Sequence, residues 1–538
     1  MLIRSLLCTL LVCAAAHAQP LNPPVRLVVV LVVDQMVPDY FHRYGDLYQG
    51  GLARLARDGT VFDRAYHDQS CTLTGPGHAT LSTGALPARH GIVGNYWFER
   101  AAGREVYSCA DSTSPVVGHP ELNGVSPARL EASTFAELLR KQMPGSRVVS
   151  MALKDRAAVL MAGRKADLVL WLEEVPGRMV TSRWYSDTLP GWVTEFQPSL
   201  VRYADSVWTK LLPDSAYRRS GPDHSLHEHG GTQSTFPHAC NPEEGTLSVK
   251  YFEELYIHPY GDQLILELAQ RAVDSMKLGL GPHADLLLIG CSAADGTGHV
   301  YGPDSHEVQD YYLRLDRWLG EFFDHLDSAV GQNRWLAALS SDHGVLSLPE
   351  VDAARGVASE RVLTDTVKAQ IEQLSAAVST QWGVQLEALR VDGGLAFKAN
   401  AWDSGGAWQQ AVLDLAARVR TLDWVADVYT RPELANPETP VRPYLRLFQN
   451  AYHDQRGPDL FIREHERVIV TSGKSGTTHG SPYSYDTHVP LILMGPGIPA
   501  VHVTDSVRTV DLAPTLCDLL GVSRDASFDG ASLADRLR

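Results

Sequence analysis

The segment Arg26–Val33 (RLVVVLVV) is an uninterrupted run of apolar, mostly β-branched residues that ends at the carboxylate of Asp34. A run that is apolar on both faces is typical of a strand covered by helices on both sides of a parallel sheet. Five further runs share this character: Arg147–Leu153, Asp285–Ile289, Trp335–Ser340, Val468–Thr471 and Val489–Met494. The sequence therefore predicts an α/β fold with a central, mostly parallel sheet sandwiched by helices.

Helical patterns separate these runs. They predict helices at His78–Thr83, Thr134–Lys141, Gly261–Lys277, Val308–Ser328 and Asp511–Leu520. Two regions, at about 160–260 and 350–465, show no comparable series of buried strands. We interpret residues 19–538 as one catalytic domain, with these two regions as insertions that cap its site.

The N-terminus has the pattern of a cleavable export signal. Met1–Arg4 is a short basic start, Ser5–Ala16 is apolar, and Ala16-His17-Ala18 is an A-x-A cleavage site. The apolar stretch is too short for a membrane anchor, and Val12 fits poorly before a lipid-modified Cys13. The sequence predicts a signal peptide over residues 1–18 and a periplasmic or secreted protein.

The charge balance limits the partners. The formal net charge is -16 at pH 7, which argues against a nucleic acid as the main partner. No later segment is apolar enough for stable membrane insertion, and the oligomeric state is not indicated. After the signal, Cys71, Cys109, Cys240, Cys291 and Cys517 form an odd set, so at least one thiol stays free or pairs between chains.

Ionisable residues follow four of the predicted strands, at the end where parallel sheets collect ligands. They are Asp34, Lys154, Asp295 and the pair Asp342-His343. His299 comes four residues after Asp295, and His479 lies in Gly-Thr-Thr-His-Gly. Carboxylates and imidazoles in this number suit a pair of metal ions in a hydrolase. Such ions could lower the pKa of a nucleophilic hydroxyl, and the candidate for it is Thr74, which lies in Cys-Thr-Leu-Thr-Gly-Pro-Gly-His.

These motifs, in this order, resemble the alkaline phosphatase superfamily, in the branch shared with type I phosphodiesterases and nucleotide pyrophosphatases. They are most similar to bacterial alkaline phosphatases of the threonine-nucleophile, PafA type, over nearly the whole chain. The resemblance implies two zinc ions, one held by Asp34, Asp342, His343 and the Thr74 oxygen, and the other held by Asp295, His299 and His479. Nitrogen and oxygen ligands would also suit manganese or cobalt.

Two assignments have competitors nearby. His488, which directly precedes a predicted strand, is the alternative to His479 as the last ligand. Thr72 is the alternative to Thr74, and a threonine before a helix is often only its cap. The Gly-Pro-Gly turn after Thr74 favours Thr74, and we expect the following helix start to direct free N–H groups at an anion.

Three polar residues define the expected substrate. The resemblance implies that Asn95, Lys154 and Arg156 contact the non-bridging oxygens of a phosphate, although a turn residue and a solvated basic turn are their ordinary roles. Lys154 and Arg156 are two residues apart, so we expect an extended backbone to bring both to one ligand. In the resembling proteins this Lys-x-Arg pair accompanies hydrolysis of phosphate monoesters.

The sequence therefore predicts a zinc-dependent alkaline phosphatase that hydrolyses small phosphate monoesters through a phosphothreonine intermediate at Thr74. The alternative is a type I phosphodiesterase or nucleotide pyrophosphatase. A sulfatase would need a C/S-x-P-x-R motif, and Cys71-Thr-Leu-Thr-Gly lacks its proline and arginine. A non-catalytic metal-binding protein on the same scaffold would not need the nucleophile.

Overall fold

The first strand, β1 (Leu27–Val33), lies in the middle of a nine-stranded sheet in the computed structural model of the protein. The structure describes residues 21, 24–243, 245, 247–398, 402 and 405–537. The predicted signal peptide, residues 1–18, lies outside the described residues.

The other eight strands of this sheet are β2 (Thr60–Tyr66), β3 (Val148–Ala152), β4 (Leu168–Glu173), β5 (Arg178–Val180), β6 (Asp285–Cys291), β7 (Trp335–Ser340), β8 (His488–Met494) and β9 (His502–Arg508). Their spatial order is β9-β2-β8-β7-β1-β6-β3-β4-β5. Pairing is parallel from β7 through β1, β6 and β3 to β4, and between β9 and β2. The predicted sheet is therefore confirmed as mostly parallel.

Alternate residues of β1 enter two separate cores. Leu27, Val29, Leu31 and Val33 face one core, whereas Val28, Val30 and Val32 face the other. Both sets are buried because helices cover each side of the sheet, which is why the run is apolar throughout.

The helices that contribute to the first core include Gly51–Asp58, Gly191–Phe196, Tyr260–Met276 and His306–Leu326. The opposite core takes side chains from Thr74–Thr83, Phe135–Gln142, Asp155–Ala162 and Leu512–Leu520. Further helices of the main body are Asp39–Tyr44, Pro87–His90, Val249–Glu254, Ala293–Tyr301, Pro349–Ala354 and Ser484–Thr487. The five predicted helices are all present. The helix predicted from His78 begins at Thr74 instead, so Thr74 is its first residue and not part of a loop.

Two predicted strands differ from expectation. β8 runs antiparallel to β7 and β2. Val468–Thr471 is outside the main sheet and pairs with Glu360–Leu363 in a small two-stranded parallel sheet. The apolar pattern identified both strands but carried no information on their direction or partners.

The first predicted insertion also contributes to the main sheet. β4 and β5 both fall within residues 160–260, at the sheet edge. Two short strands in the same region, Val207–Trp208 and His238–Ala239, pair with each other. Whether these residues act as a cap stays a prediction.

Residues 350–465 build a separate antiparallel sheet. Its strands, in spatial order, are Ala388–Val391, Gly394–Phe397, Leu460–Glu464 and Val425–Thr430. Helices Thr364–Trp382 and Gly406–Val419 pack on it around a hydrophobic cluster of their own, and Arg431–Ala435 and Leu445–Ala451 are shorter. A hairpin of the main body, Tyr96–Glu99 with Arg104–Tyr107, lies next to this sheet.

Two general properties are visible in the described residues. No described helix has both the length and the apolar composition needed to cross a bilayer. The five described cysteines, Cys71, Cys109, Cys240, Cys291 and Cys517, are buried free thiols.

Candidate functional site

Three buried carboxylates meet at the carboxyl edge of the main sheet. Asp34 directly follows β1, Asp342 follows the neighbouring β7, and Asp295 lies in the helix after β6. Each is at most 5% exposed. Gln35 connects two of these carboxylates. Its backbone N–H donates to Asp342 Oδ1 at 3.1 Å, and its side-chain amide donates to Asp295 Oδ1 at 2.7 Å. The order of the strands thus explains why residues far apart in sequence converge.

The first cluster of potential ligands contains Asp295, His299 and His479. Asp295 and His299 lie one turn apart on helix Ala293–Tyr301 and therefore share a face. His299 Nε2 is 3.1 Å from Asp295 Oδ1, and His479 Nε2 is 3.6 Å from the same oxygen. Three side chains directed at one point are the arrangement expected of a metal site.

The second cluster contains Asp34, Asp342 and, beyond the predicted set, His78. His78 Nε2 is 3.4 Å from Asp34 Oδ1, and its Nδ1 is 3.5 Å from Asp342 Oδ2. The predicted ligand His343 also lies here, with Nε2 3.2 Å from Asp342 Oδ2. Its ring stacks on that of His479 at 3.4 Å between centroids, so the two clusters are adjacent.

Hydrogen bonds fix the tautomers of these imidazoles. The Nδ1 atoms of His299, His343 and His479 each lie 2.7–3.0 Å from a backbone carbonyl oxygen, those of Thr477, Gly344 and Thr72. A carbonyl only accepts, so Nδ1 carries a proton in each ring, and Nε2 is the nitrogen that remains for the cluster. Fixing a histidine through its outer nitrogen is how proteins orient metal ligands.

The carboxylates and imidazoles of the site strongly shift one another's pKa values. Burial and the neighbouring Asp342 raise the pKa of Asp34. Burial alone would also raise the pKa of Asp342, but His343 holds it well below its usual range. Burial and His343 keep the pKa of His479 well below its ordinary value, so that its ring is neutral. Buried acids with this mutual repulsion require cations beside them.

The donor atoms of the second cluster fit a metal ion. Asp34 Oδ1, Asp342 Oδ2, His78 Nε2 and His343 Nε2 are all buried without a hydrogen-bond partner. Buried polar atoms are almost always satisfied, and four unsatisfied ones converging in one place call for a ligand. Carboxylate oxygens and imidazole nitrogens are suitable ligands for zinc.

Thr74 lies beside these clusters at the start of helix Thr74–Thr83. The carbonyl of Thr74 accepts a hydrogen bond from His78 Nδ1 at 2.9 Å. Three residues on, Gly77 packs so closely that a Cβ atom there would be 2.2 Å from Asp342 O. The competitor Thr72 donates its hydroxyl to Ser481 O at 2.8 Å, so it already has a structural contact.

The expected free N–H groups at this helix start are largely absent. Gly75 N donates to the side chain of Asn95 at 2.8 Å, Gly77 N donates to Leu73 O at 2.9 Å, and Pro76 has no N–H. Because the N–H of Gly75 donates, the Asn95 atom that accepts must be the amide oxygen. The amide nitrogen of Asn95 is then the donor for a ligand. Asn95, therefore, is the polar group that this end of the helix presents.

Lys154 connects the two clusters. Its Nζ atom is 3.0 Å from Asp34 Oδ2 and 2.6 Å from Asp295 Oδ2. Burial lowers the pKa of Lys154, but the two carboxylates raise it further, so the side chain is charged. A positive charge already occupies the space between the clusters, which is consistent with their need for cations.

Arg156 lies on a different backbone conformation from the one expected. Lys154 is extended, with φ -80° and ψ 132°, but Arg156 is the second residue of helix Asp155–Ala162. The expectation that both need an extended backbone was wrong, because a residue just before a helix and one in its first turn can face the same space. Both line a cavity of about 1050 Å³.

The structure separates His479 from its competitor. The Nε2 atom of His488 is 3.0 Å from Asp63 O, and its ring stacks on Tyr66 at 4.6 Å. These contacts place His488 outside the two clusters.

The residues that sequence reasoning missed are His78 and Gln35. His78 stands one helical turn after Thr74 in the same motif, and this spacing was a usable signal.

Comparison with known proteins places the chain in a family. Residues 28–487 match the model of the type I phosphodiesterase/nucleotide pyrophosphatase family. Alkaline phosphatase PafA of Elizabethkingia meningoseptica is 32% identical over 98% of each chain. Alkaline phosphatase PhoV of Synechococcus elongatus is 29% identical, also over 98% of each chain.

The fold agrees with these matches. The crystal structure of wild-type PafA superposes with a TM-score of 0.88, at 30% identity, covering 96% of this chain and 99% of that one. The resemblance inferred from the motifs is confirmed. The chain is a hydrolase that belongs to the type I phosphodiesterase/nucleotide pyrophosphatase family of the alkaline phosphatase superfamily.

Proposed function

We propose that this protein is a zinc-dependent alkaline phosphatase that hydrolyses small phosphate monoesters through a phosphothreonine at Thr74. The observation that carries the proposal is the position of Lys154, whose ammonium group joins the two ligand clusters and lines the same cavity as Arg156. The names of the PafA and PhoV relatives support the same activity.

Two cations would be held by the clusters described above. Asp295, His299 and His479 would hold one, and Asp34, Asp342 and His343 would hold the other, with Thr74 as a shared neighbour and His78 beside it. When bound, zinc supplies positive charge that lowers the pKa of a hydroxyl and offsets the charge of a phosphate. The nitrogen and oxygen donors also suit manganese or cobalt.

The reaction would proceed in two displacement steps, in which Thr74 and Asn95 have the following roles. The Thr74 hydroxyl loses its proton and its oxygen attacks phosphorus in line; the new bond to phosphorus forms while the bond to the leaving oxygen breaks, and that oxygen takes up a proton and departs as the alcohol. Water next attacks the phosphothreonine from the opposite face, the phosphorus–Thr74 bond breaks, and the threonine hydroxyl regains a proton. Asn95 Nδ2 donates to a non-bridging oxygen in both steps.

Lys154 and Arg156 would select the monoester. A monoester dianion has one more charged oxygen than a diester, and this oxygen needs a cationic partner. The half-buried Arg156 guanidinium lies beside Tyr107 and Asp155, which raise its pKa against the effect of burial, so it is permanently charged. Two positive charges in one cavity fit a dianion better than a monoanion.

A phosphodiesterase or nucleotide pyrophosphatase is the second candidate, because the family model carries that description. Parallel rates on p-nitrophenyl phosphate and bis(p-nitrophenyl) phosphate separate the two. We expect faster turnover of the monoester. Faster turnover of the diester, unchanged by Lys154→Met, would establish the second candidate instead.

The intermediate can be trapped directly. Acid quenching during turnover, followed by peptide mass spectrometry, should find phosphate on Thr74 in the parent protein and none in Thr74→Ala. Thr72→Val is the matched control, since it removes a hydroxyl two residues away. Phosphate on Thr72, or turnover in Thr74→Ala at the parent rate, would contradict the assignment.

We also propose that the protein is periplasmic or secreted after removal of residues 1–18. The A-x-A motif at Ala16–Ala18 supports this proposal. N-terminal sequencing of the exported protein should begin at Gln19. A mature chain that begins at Met1 would argue against export.

A further inference from the structure

A carboxylate from residues 350–465 contacts the loop that carries Asn95. Asp392 lies in the turn between strands Ala388–Val391 and Gly394–Phe397. Its Oδ2 atom accepts hydrogen bonds from the backbone N–H groups of Asn95, at 3.0 Å, and Tyr96, at 3.2 Å. One oxygen thus fixes two consecutive peptide groups next to the phosphate-binding candidate.

The loop is shaped to admit this carboxylate. A Cβ atom at Gly94 would lie 2.7 Å from Tyr96 O and 3.0 Å from Asp392 Oδ2, so a side chain there would crowd both the loop backbone and the aspartate. Apolar contacts hold the same two segments together, through a buried cluster of Phe98, Val391 and Ala396. The contact of Asp392 with the loop is therefore part of a packed interface.

The Asn95 side chain connects this fixed loop to the start of helix Thr74–Thr83. Its Oδ1 atom accepts the hydrogen bond from Gly75 N at 2.8 Å. A Cβ atom at Gly75 would be 3.1 Å from Asn95 Oδ1, so the glycine permits the close approach. A continuous series of hydrogen bonds runs from Asp392 through Asn95 to the residue after Thr74.

We propose that Asp392 is a positioning residue, which holds Asn95 so that its amide nitrogen faces the phosphate and its amide oxygen fixes the start of the Thr74 helix. The inference rests on the proposed function and extends it, because residues 350–465 then take part in catalysis through this contact. Burial raises the pKa of Asp392, and the backbone donors of Tyr96 and Asn95 offset only part of that rise, so the role of acceptor rests on the two hydrogen bonds themselves.

A double-mutant cycle tests the proposal. Asp392→Ala should lower kcat/KM for p-nitrophenyl phosphate about tenfold, because a displaced donor loses its alignment. Asn95→Ala should lower it about 100-fold, as the loss of a transition-state donor does. In the Asn95→Ala background, Asp392→Ala should cost less than about twofold, because its effect requires the Asn95 side chain. The inhibition constant for inorganic phosphate should follow the same pattern.

Three variants complete the design. Asp392→Asn keeps an acceptor oxygen and should retain most activity. Glu387→Ala removes a carboxylate that lies one residue before strand Ala388–Val391 and, among the described residues, forms an ion pair with Lys398. This variant should match the parent. If Asp392→Ala fails to fold, Asp392→Leu takes its place in the cycle, because leucine removes the acceptor oxygen while filling the space of the carboxylate, and it should reproduce the tenfold loss.

Equal losses from Asp392→Ala in both backgrounds would overturn the proposal, as would full activity in that variant. The outcome is separable from that of the proposed function, because the cycle can be measured on whichever p-nitrophenyl ester the parent hydrolyses faster. A preference for the diester would contradict monoesterase activity and still leave the coupling between Asp392 and Asn95 measurable.

Discussion

The Nζ atom of Lys154 lies 2.6 Å from Oδ2 of Asp295, so a residue proposed to bind substrate also contacts a carboxylate proposed to bind a cation. This contact, with the one to Asp34, accounts for the buried position of a lysine that is only 8% exposed. In the proposed function, cations in the clusters would give the carboxylates other partners, and the ammonium group would then contact phosphate.

Replacing Lys154 should change substrate preference. Lys154→Met keeps the apolar stem and removes the charge, so we expect kcat/KM for p-nitrophenyl phosphate to fall about 10- to 100-fold, the range for a lost charged hydrogen bond. The rate on bis(p-nitrophenyl) phosphate should change less than threefold, about the scatter of a neutral substitution. Equal losses on both esters would contradict a role in recognising the dianion.

Removing metal should inactivate and destabilise the protein. A chelator should abolish turnover, and added zinc should restore it, because the buried carboxylates lose their cations. Binding to the folded state alone stabilises by about 4 kcal/mol when the metal exceeds its dissociation constant a thousandfold. The unfolding temperature measured by calorimetry should therefore fall on chelation. Full activity in protein shown by mass spectrometry to be metal-free would count against the mechanism.

Gly77→Ala should damage the site despite the usual preference of helices for alanine, which is worth about 1 kcal/mol. The new Cβ atom would lie 2.2 Å from Asp342 O and 2.7 Å from Asp342 Cβ, so either the helix or Asp342 must move. We expect kcat/KM to fall about 100-fold, as for displacement of a catalytic group by 1 Å, with less than two metal ions bound per chain.

Gly191→Ala is the matched control for this experiment. It also lies within a helix, but nothing is within 4 Å of its added Cβ atom. Its activity and metal content should equal those of the parent. Normal metal content in Gly77→Ala would show that the packing against Asp342 is adjustable.

Acid should destabilise the protein through His90. Its ring is fully buried, Nδ1 accepts from Ile92 N at 3.1 Å, and Nε2 donates to Thr80 Oγ1 at 3.1 Å. Burial lowers the pKa of His90 to about 3, from an ordinary value of 6.5. The folded protein therefore keeps this ring neutral, while the unfolded chain takes up a proton below pH 6.5.

Stability should consequently fall as the pH drops from 6.5 towards 3, by about 2 kcal/mol at pH 5 from this group alone. Urea unfolding of the parent and of His90→Gln at pH 7 and pH 5 measures the effect. The variant should lose less stability between the two pH values, and the exposed control His502→Gln should behave as the parent does. An identical loss in His90→Gln would refute this assignment.

The sequence predicted the parts of the fold that depend on local pattern. β1 and β7 are apolar on both faces, so their burial could be read without a structure. The antiparallel direction of β8 and the separate position of Val468–Thr471 could not be predicted from the sequence, because strand pairing depends on the path of the whole chain.

For the site, motifs identified residues that follow strands, since the carboxyl edge of a parallel sheet gathers them. They could not show that Gln35, with a left-handed φ of 65°, turns its amide towards Asp295. They also could not show Asp392 at the Asn95 loop, because that contact joins positions 297 residues apart. Contacts of this kind are set by tertiary packing and leave no local trace.

The sheet order has a consequence for how the protein is made. β1 emerges first from the ribosome, yet its neighbours β6 and β7 and the loop bearing His479 are translated much later. A growing chain therefore carries Asp34 and Thr74 for most of its synthesis without Asp295, Asp342 or His479. Any truncated product that ends before His479 lacks one of the three side chains of the first cluster, so that cluster is complete only once nearly the whole chain has been translated.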